Sequence, residues 1–292
     1  MWLLCGFLSA ALLGLYDVAK KSSLRDNAVI PVLFLNTLFC SLIFLPALWT
    51  VDSGGWAVQR YIVLKSCIVL SSWLCAYFGM KHLPLTLVGP INATRPVMVL
   101  VGAILVFDEH LNAFQWVGVF LSIASFFLLS RSGKKENIYF FHNKWVFCVI
   151  AGAVLGAVSG LYDKFLMAPA ESGGLALNRI AVQSYYNFYQ CGMMAVMLAV
   201  LWWPTRRQHT PFVWRWSIPL IAVFLSMADY AYFYGLSLEG VMVSVISLAR
   251  RSSVVVSFLV AALLFKEKNL KSKAVDLILV LLGMLFLYLG TL

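Results

Sequence analysis

An all-α integral membrane protein, with ten transmembrane helices as two inverted five-helix repeats, is the fold class this sequence predicts, and three observations predict it. The first is hydrophobicity. Apolar residues make up 62% of the 292 and charged residues 12%, and the mean hydropathy is +0.89, more apolar surface than a soluble domain can bury. The second is length: apolar stretches of roughly 18 to 25 residues follow one another, each about long enough to cross a ~30 Å hydrocarbon core as a helix. The third is self-similarity. Gly14-Leu15-Tyr16-Asp17 returns as Gly160-Leu161-Tyr162-Asp163, and Gly6, Ala10 and Gly14 line up with Gly152, Gly156 and Gly160 at the same offset of 146. Five helices per copy is an odd number, so the second copy enters the membrane upside down.

The segments fall near 2–19, 29–50, 61–81, 85–107, 113–130, 145–166, 181–203, 216–236, 241–265 and 274–291. The first has no basic stretch before it and no small-residue cleavage site after it, so it reads as a retained helix. Its small residues at every fourth position let a neighbouring backbone approach closely. Asp17, near its end, has Lys20 and Lys21 at helical spacing, which suits a solvated interfacial ion pair or, alternatively, a gating carboxylate. The second and third carry Cys40, Cys67 and Cys75. With Cys5, Cys148 and Cys191 these lack metal-ligand spacing and read as packing residues, so no metal is expected. Trp73 and Tyr77 on the third are candidate cavity aromatics.

The fourth segment holds Pro84, Pro90 and Pro96 around Gly89, Asn92 and Thr94. Interior prolines remove helix hydrogen bonds, and a helix broken at mid-depth is a pointer to a binding site in carriers. The fifth ends at the basic stretch 131–144, the expected joint between a first repeat at 1–130 and a second at 145–292. The sixth repeats the first and carries Asp163. The seventh contains Tyr185-Tyr186-Asn187, and Trp202, Trp203, Trp214 and Trp216 bracket the following loop as interfacial anchors. The eighth places Asp229 deep in the span among Tyr230, Tyr232 and Tyr234. The ninth has Arg250 and Arg251 among Ser244, Ser247, Ser252 and Ser253, with no proline. A second match links the halves: Tyr77-Phe78-Gly79 with Phe233-Tyr234-Gly235, Arg95 with Arg251, and Phe107-Asp108-Glu109 with Phe265-Lys266-Glu267.

The net charge of +10 reports topology, because the basic residues flank membrane segments and form no aromatic-interleaved patch that would bind nucleic acid. The side holding loops 1–2, 3–4, 5–6, 7–8 and 9–10 carries 15 Lys and Arg against 4 on the other, which places both termini outside.

Charges deep in a span need a partner or a wet cavity. Arg95, Asp229, Arg250 and Arg251 qualify by depth, and three arginines against one aspartate leave a positive excess suited to a carboxylate or phosphate held by an Arg fork. Asn92, Trp73, Tyr230 and Tyr234 are the further substrate-binding candidates. Asp229, Asp17 and Asp163 are the coupling or gating candidates, with protons as the ion. The four histidines lie in or beside loops, and no zinc-protease, phosphate-loop or nucleophile-elbow motif occurs. Neither an enzyme nor a cofactor is expected.

The inverted five-helix halves, the small-residue first helix of each and a Glu after the fourth helix of each (Glu109, Glu267) resemble the EamA-type members of the drug/metabolite transporter superfamily. The resemblance implies a carrier with a central cavity lined by helices 1, 3, 4, 6, 8 and 9, and both termini in the cytoplasm, against the charge count. It leads to a secondary transporter, an exporter of a small organic, anionic or amino-acid-like metabolite; the compact loops and the lack of a targeting segment fit a bacterial inner membrane, with an organelle as the alternative. Its partners would be the substrate, the bilayer and protons, with a homodimer left open. A flippase for a lipid-linked phosphate or sugar, or a non-transporting scaffold or sensor, are the alternatives.

Overall fold

The computed structural model describes residues 2–95, 98, 112–134, 142–167, 174–206, 210–236, 249–250, 252–265 and 270–290. Among these all regular structure is helical. The elements are α1 (Trp2–Leu24), α2 (Val29–Phe44, continued by a 3₁₀ turn), α3 (Gly55–His82), α4 (Leu85–Ala93), α5 (Ala113–Lys134), α6 (Lys144–Met167), α7 (Arg179–Met197, continued by a π turn), α8 (Ser217–Leu236), α9 (Ser253–Leu264) and α10 (Leu270–Leu289). Three expected spans appear as helices of membrane-crossing length and apolarity: Val29–Trp49, Gly55–His82 and Lys144–Asp163. The outer surface agrees with that class, since Phe7, Phe120, Phe127 and Leu263 all face outward, an apolar exterior that water would not tolerate over such an area.

Helix α1 packs on α8 and α9, while α6 packs on α3 and α4; α2 meets α7 and α8, and α7 also meets α3. Helix α5 lies on α10, and α4 on α9. Exchanging each helix with the one five further along turns these pairings into one another.

Small residues make the closest crossings possible. A methyl added to Gly14 would fall 2.6 Å from Val256 Cβ on α9, and one on Gly152 would fall 3.1 Å from the Ser72 carbonyl oxygen on α3. Polar side chains then tie the helices together, as expected where no hydrophobic force drives association. Ser9 donates to the Ala228 carbonyl at 2.7 Å, Ser72 to that of Gly152 at 2.7 Å, and Ser125 to that of Asp276 at 2.7 Å.

Helix α4 is short, as its prolines predict. Pro84 precedes its first turn, Pro90 sits inside it, and it ends at Ala93. There Thr94 closes a tight turn, its N–H donating to the Ile91 carbonyl at 3.2 Å and its hydroxyl to the same oxygen at 2.7 Å. Ser252, just before α9, makes the same turn: its N–H reaches the Ala249 carbonyl at 3.1 Å and its hydroxyl that oxygen at 2.6 Å. The two turns stand 158 residues apart, so Arg95 corresponds to Ser253 and Asn92 to Arg250. This differs from the Arg95 and Arg251 pairing that string alignment suggests; Arg251 lies outside the described residues, as do Pro96, Ser244, Ser247, Glu109 and Glu267.

Candidate functional site

The break after α4 and the turn before α9 free side chains to face inward, and a cavity of ≈ 370 Å³ opens between them. Its wall is built by Leu13, Tyr16, Asp17 and Lys20 of α1, Trp73, Ala76 and Tyr77 of α3, Asn92, Ala93 and Arg95 at the α4 break, Tyr232 of α8, and Arg250, Ser253 and Val254 at the start of α9. Helix α6 reaches the site through the backbone of Gly156, against which the Arg95 guanidinium lies; a methyl there would sit 2.7 Å from Arg95 Cζ.

Each carboxylate at the site has a cation. Asp17 Oδ1 lies 3.4 Å from Lys20 Nζ, and Lys20 is only 5% exposed. The ion pair expected from sequence therefore forms, but as a correction it lines a cavity rather than sitting in interfacial water. The Lys20 ammonium also donates to the Tyr16 hydroxyl at 3.3 Å and lies 4.5 Å from the Tyr16 ring centroid and 5.1 Å from that of Tyr77. Asp229 is paired with Arg250 and accepts from Gln183 at 3.4 Å. The Arg250 guanidinium covers the Tyr232 ring at 4.5 Å.

Arg95 differs. Its hydrogen bond goes to a neutral group, the Asn92 side-chain oxygen at 3.4 Å, and its buried Nε has no partner. No carboxylate pairs with it among the described residues.

Of the residues nominated from sequence, the structure gathers Arg95, Arg250, Asn92, Trp73 and Asp17 on one cavity wall, with Asp229 held behind Arg250. Tyr230 and Tyr234 require correction: they are 74% and 50% exposed and lie away from the cavity, while Tyr232 lines it. The reason is phase. Residues two apart on a helix point roughly 200° apart, so one tyrosine facing inward turns the other two out. Asp163 is also elsewhere, paired with Lys65 of α3, whose ammonium lies 4.8 Å from the Tyr186 ring.

Sequence reasoning missed Tyr16 and Lys20 as wall residues and Lys65 as a deep charge. The repeated tetrapeptide pointed at Tyr16, and the Tyr16, Asp17, Lys20 spacing was visible, yet nothing local separates a buried ion pair from a solvated one. Lys273 was likewise counted as a loop charge; it is fully buried and donates to the Thr86 hydroxyl at 2.9 Å.

The family model for EamA-like transporters matches residues 1–131, the stretch that contributes α1, α3 and the α4 break to the cavity. The resemblance to EamA-type members of the drug/metabolite transporter superfamily is thus borne out over that stretch, and that family is one of membrane transporters. A solved structure titled only as a crystal structure of a protein is similar over 97% of this chain and 94% of its own, with a TM-score of 0.63 at 16% identity. At that identity the likeness speaks for the fold alone. No curated protein matches the chain.

Proposed function

We propose that this chain is a secondary carrier that exports a small organic anion by alternating access, its ten spans divided into inverted halves at 1–130 and 145–292 about the basic loop 131–144. The observation that carries the reading is Arg95, a guanidinium without a carboxylate partner among the described residues, at the wall of a ≈ 370 Å³ cavity. Such a charge is costly in a low-dielectric site, and an incoming carboxylate offsets the cost by forked pairing. The symmetric exchange of helix contacts and the matching turns at Thr94 and Ser252 support two halves that rock about this centre. Asp229 is the coupling carboxylate: Arg250 neutralises it in one arrangement and a proton does so in the other. Asp17 and Asp163, each locked to a lysine, are the gating pair.

The test is transport by the purified protein in liposomes, with a panel of labelled organic carboxylates and phosphates. Arg95→Gln is expected to slow transport of the accepted anion about 10- to 100-fold, the range of a lost charge-assisted pair, without lowering the Tm in detergent. Equal rates in the two proteins reject the site. Asp229→Asn is expected to retain downhill exchange and lose its acceleration by a pH gradient; acceleration as in the native protein removes Asp229 from coupling.

A further inference from the structure

Resting on the carrier reading above, we propose that the cavity selects a small monocarboxylate with an apolar body and no ammonium group, and that Lys20 is the residue that excludes amines and zwitterions. Aromatic faces beside a carboxylate are the environment that binds a ligand ammonium. Tyr16, Tyr77 and Asp17 supply that environment, and a tethered ammonium already fills it: Lys20 Nζ lies 4.5 Å and 5.1 Å from the two ring centroids and 3.4 Å from the Asp17 carboxylate. The second carboxylate and aromatic face are taken in the same manner, Asp229 by its ion pair with Arg250 and the Tyr232 ring by the same guanidinium at 4.5 Å. A ligand amine entering the site would lose its water and find both carboxylates neutralised.

Among the described residues that line the cavity, Arg95 is the cation without a paired carboxylate, a single positive charge. A carboxylate balances it. A phosphate monoester carries about −1.5 to −2 at neutral pH and overshoots it. The rest of the wall narrows the body of the ligand. Leu13, Trp73, Ala76, Ala93 and Val254 present apolar surface, and the neutral polar groups are few: Asn92, Ser253 and the tyrosine hydroxyls, of which that of Tyr77 is buried without a hydrogen-bond partner among the described residues. A polyhydroxylated body would leave most of its hydroxyls without partners, at a cost for each, whereas an aliphatic or aromatic body packs against Trp73 and its neighbours.

Calorimetry on the purified protein with four phenyl compounds decides this. Hydrocinnamate is the monocarboxylate, phenylalanine adds an ammonium to it, phenethylamine keeps the amine alone, and phenyl phosphate carries a phosphate on the same ring. Hydrocinnamate is expected to bind and to lose binding in Arg95→Gln, with phenylalanine and phenyl phosphate at least about tenfold weaker and phenethylamine silent. Lys20→Met keeps the side-chain bulk and removes the ammonium; it should raise the affinity for phenylalanine or phenethylamine at least about tenfold. If phenylalanine or phenyl phosphate matches hydrocinnamate in the native protein and Arg95→Gln weakens it, the monocarboxylate class falls while the anion carrier stands. If Arg95→Gln affects none of the four compounds, both fall. A Lys20→Met protein that binds hydrocinnamate and still ignores amines overturns the role of Lys20, and the native-protein comparison decides the substrate class whether or not that variant folds.

Discussion

Arg95 reaches the cavity because position 156 has no side chain. The guanidinium lies on the Gly156 backbone, and a methyl there would be 2.7 Å from Cζ and 2.9 Å from one terminal nitrogen. The atoms that must give way are the end of a flexible side chain, so the helices need not move. Gly156→Ala is therefore expected to leave the Tm of the detergent-solubilised protein close to native and to weaken anion binding about tenfold by displacing the guanidinium; unchanged affinity in a titration would show that Arg95 does not hold the ligand from this position. Residue-scale reading of the sequence found Arg95, Asp229 and Arg250 because a charge inside an apolar run is visible without neighbours. It misjudged Lys20 and Lys65, whose solvation depends on which helix covers them.

At the scale of elements, two short helices end and begin at the cavity for chemical reasons of different clarity. Proline has no N–H and its ring blocks the preceding turn, so the short span of α4 is written in Pro84 before its first turn and Pro90 inside it. The turn before α9 has no proline; Ser252 makes it by bonding back to the Ala249 carbonyl, which serine does in many contexts without ending a helix. The small-residue frame of α1 has its own test. A methyl on Gly14 would meet Val256 Cβ at 2.6 Å and the Ser257 backbone nitrogen at 3.1 Å, atoms that move only if α1 and α9 part. Gly14→Ala should thus destabilise by about 1–3 kcal/mol, the usual cost of overpacking, and lower the Tm measured in detergent, the opposite pattern to Gly156→Ala. A Tm equal to native would mean that this crossing is looser than it looks.

At the scale of the whole molecule, helix pairings recur among the described residues. Helix α1 rests on α8 as α6 rests on α3, and the turns after α1 and α6 each hold a residue in the left-handed region, Asp26 with φ 51° and Ala176 with φ 49°. Inverted halves put those two turns on opposite faces of the membrane. Single cysteines introduced as Arg25→Cys and Ala176→Cys, in a background with the native cysteines replaced by serine, should label from opposite sides with an impermeant thiol reagent. The charge distribution predicts that Ala176→Cys is the one reached from outside. Labelling of both from one side would exclude the inversion; the reverse pattern would keep it and turn the molecule over, as the family resemblance implies.

The membrane class, the short fourth helix and the presence of deep charges are legible in the chain's own letters, because each follows from local composition or from the covalent chemistry of a residue type. Tertiary packing sets which charges are spoken for. Asp163 takes Lys65, 98 positions away, and Ser9 binds a carbonyl 219 positions away, partners that no local spacing specifies. It also decided which of Tyr230, Tyr232 and Tyr234 faces the cavity, since a helix shows its inner side only once its neighbours are in place. Arg95 stands out as the open charge for the same reason: electrostatic balance is a property of distances through space, and those exist only after the helices have packed.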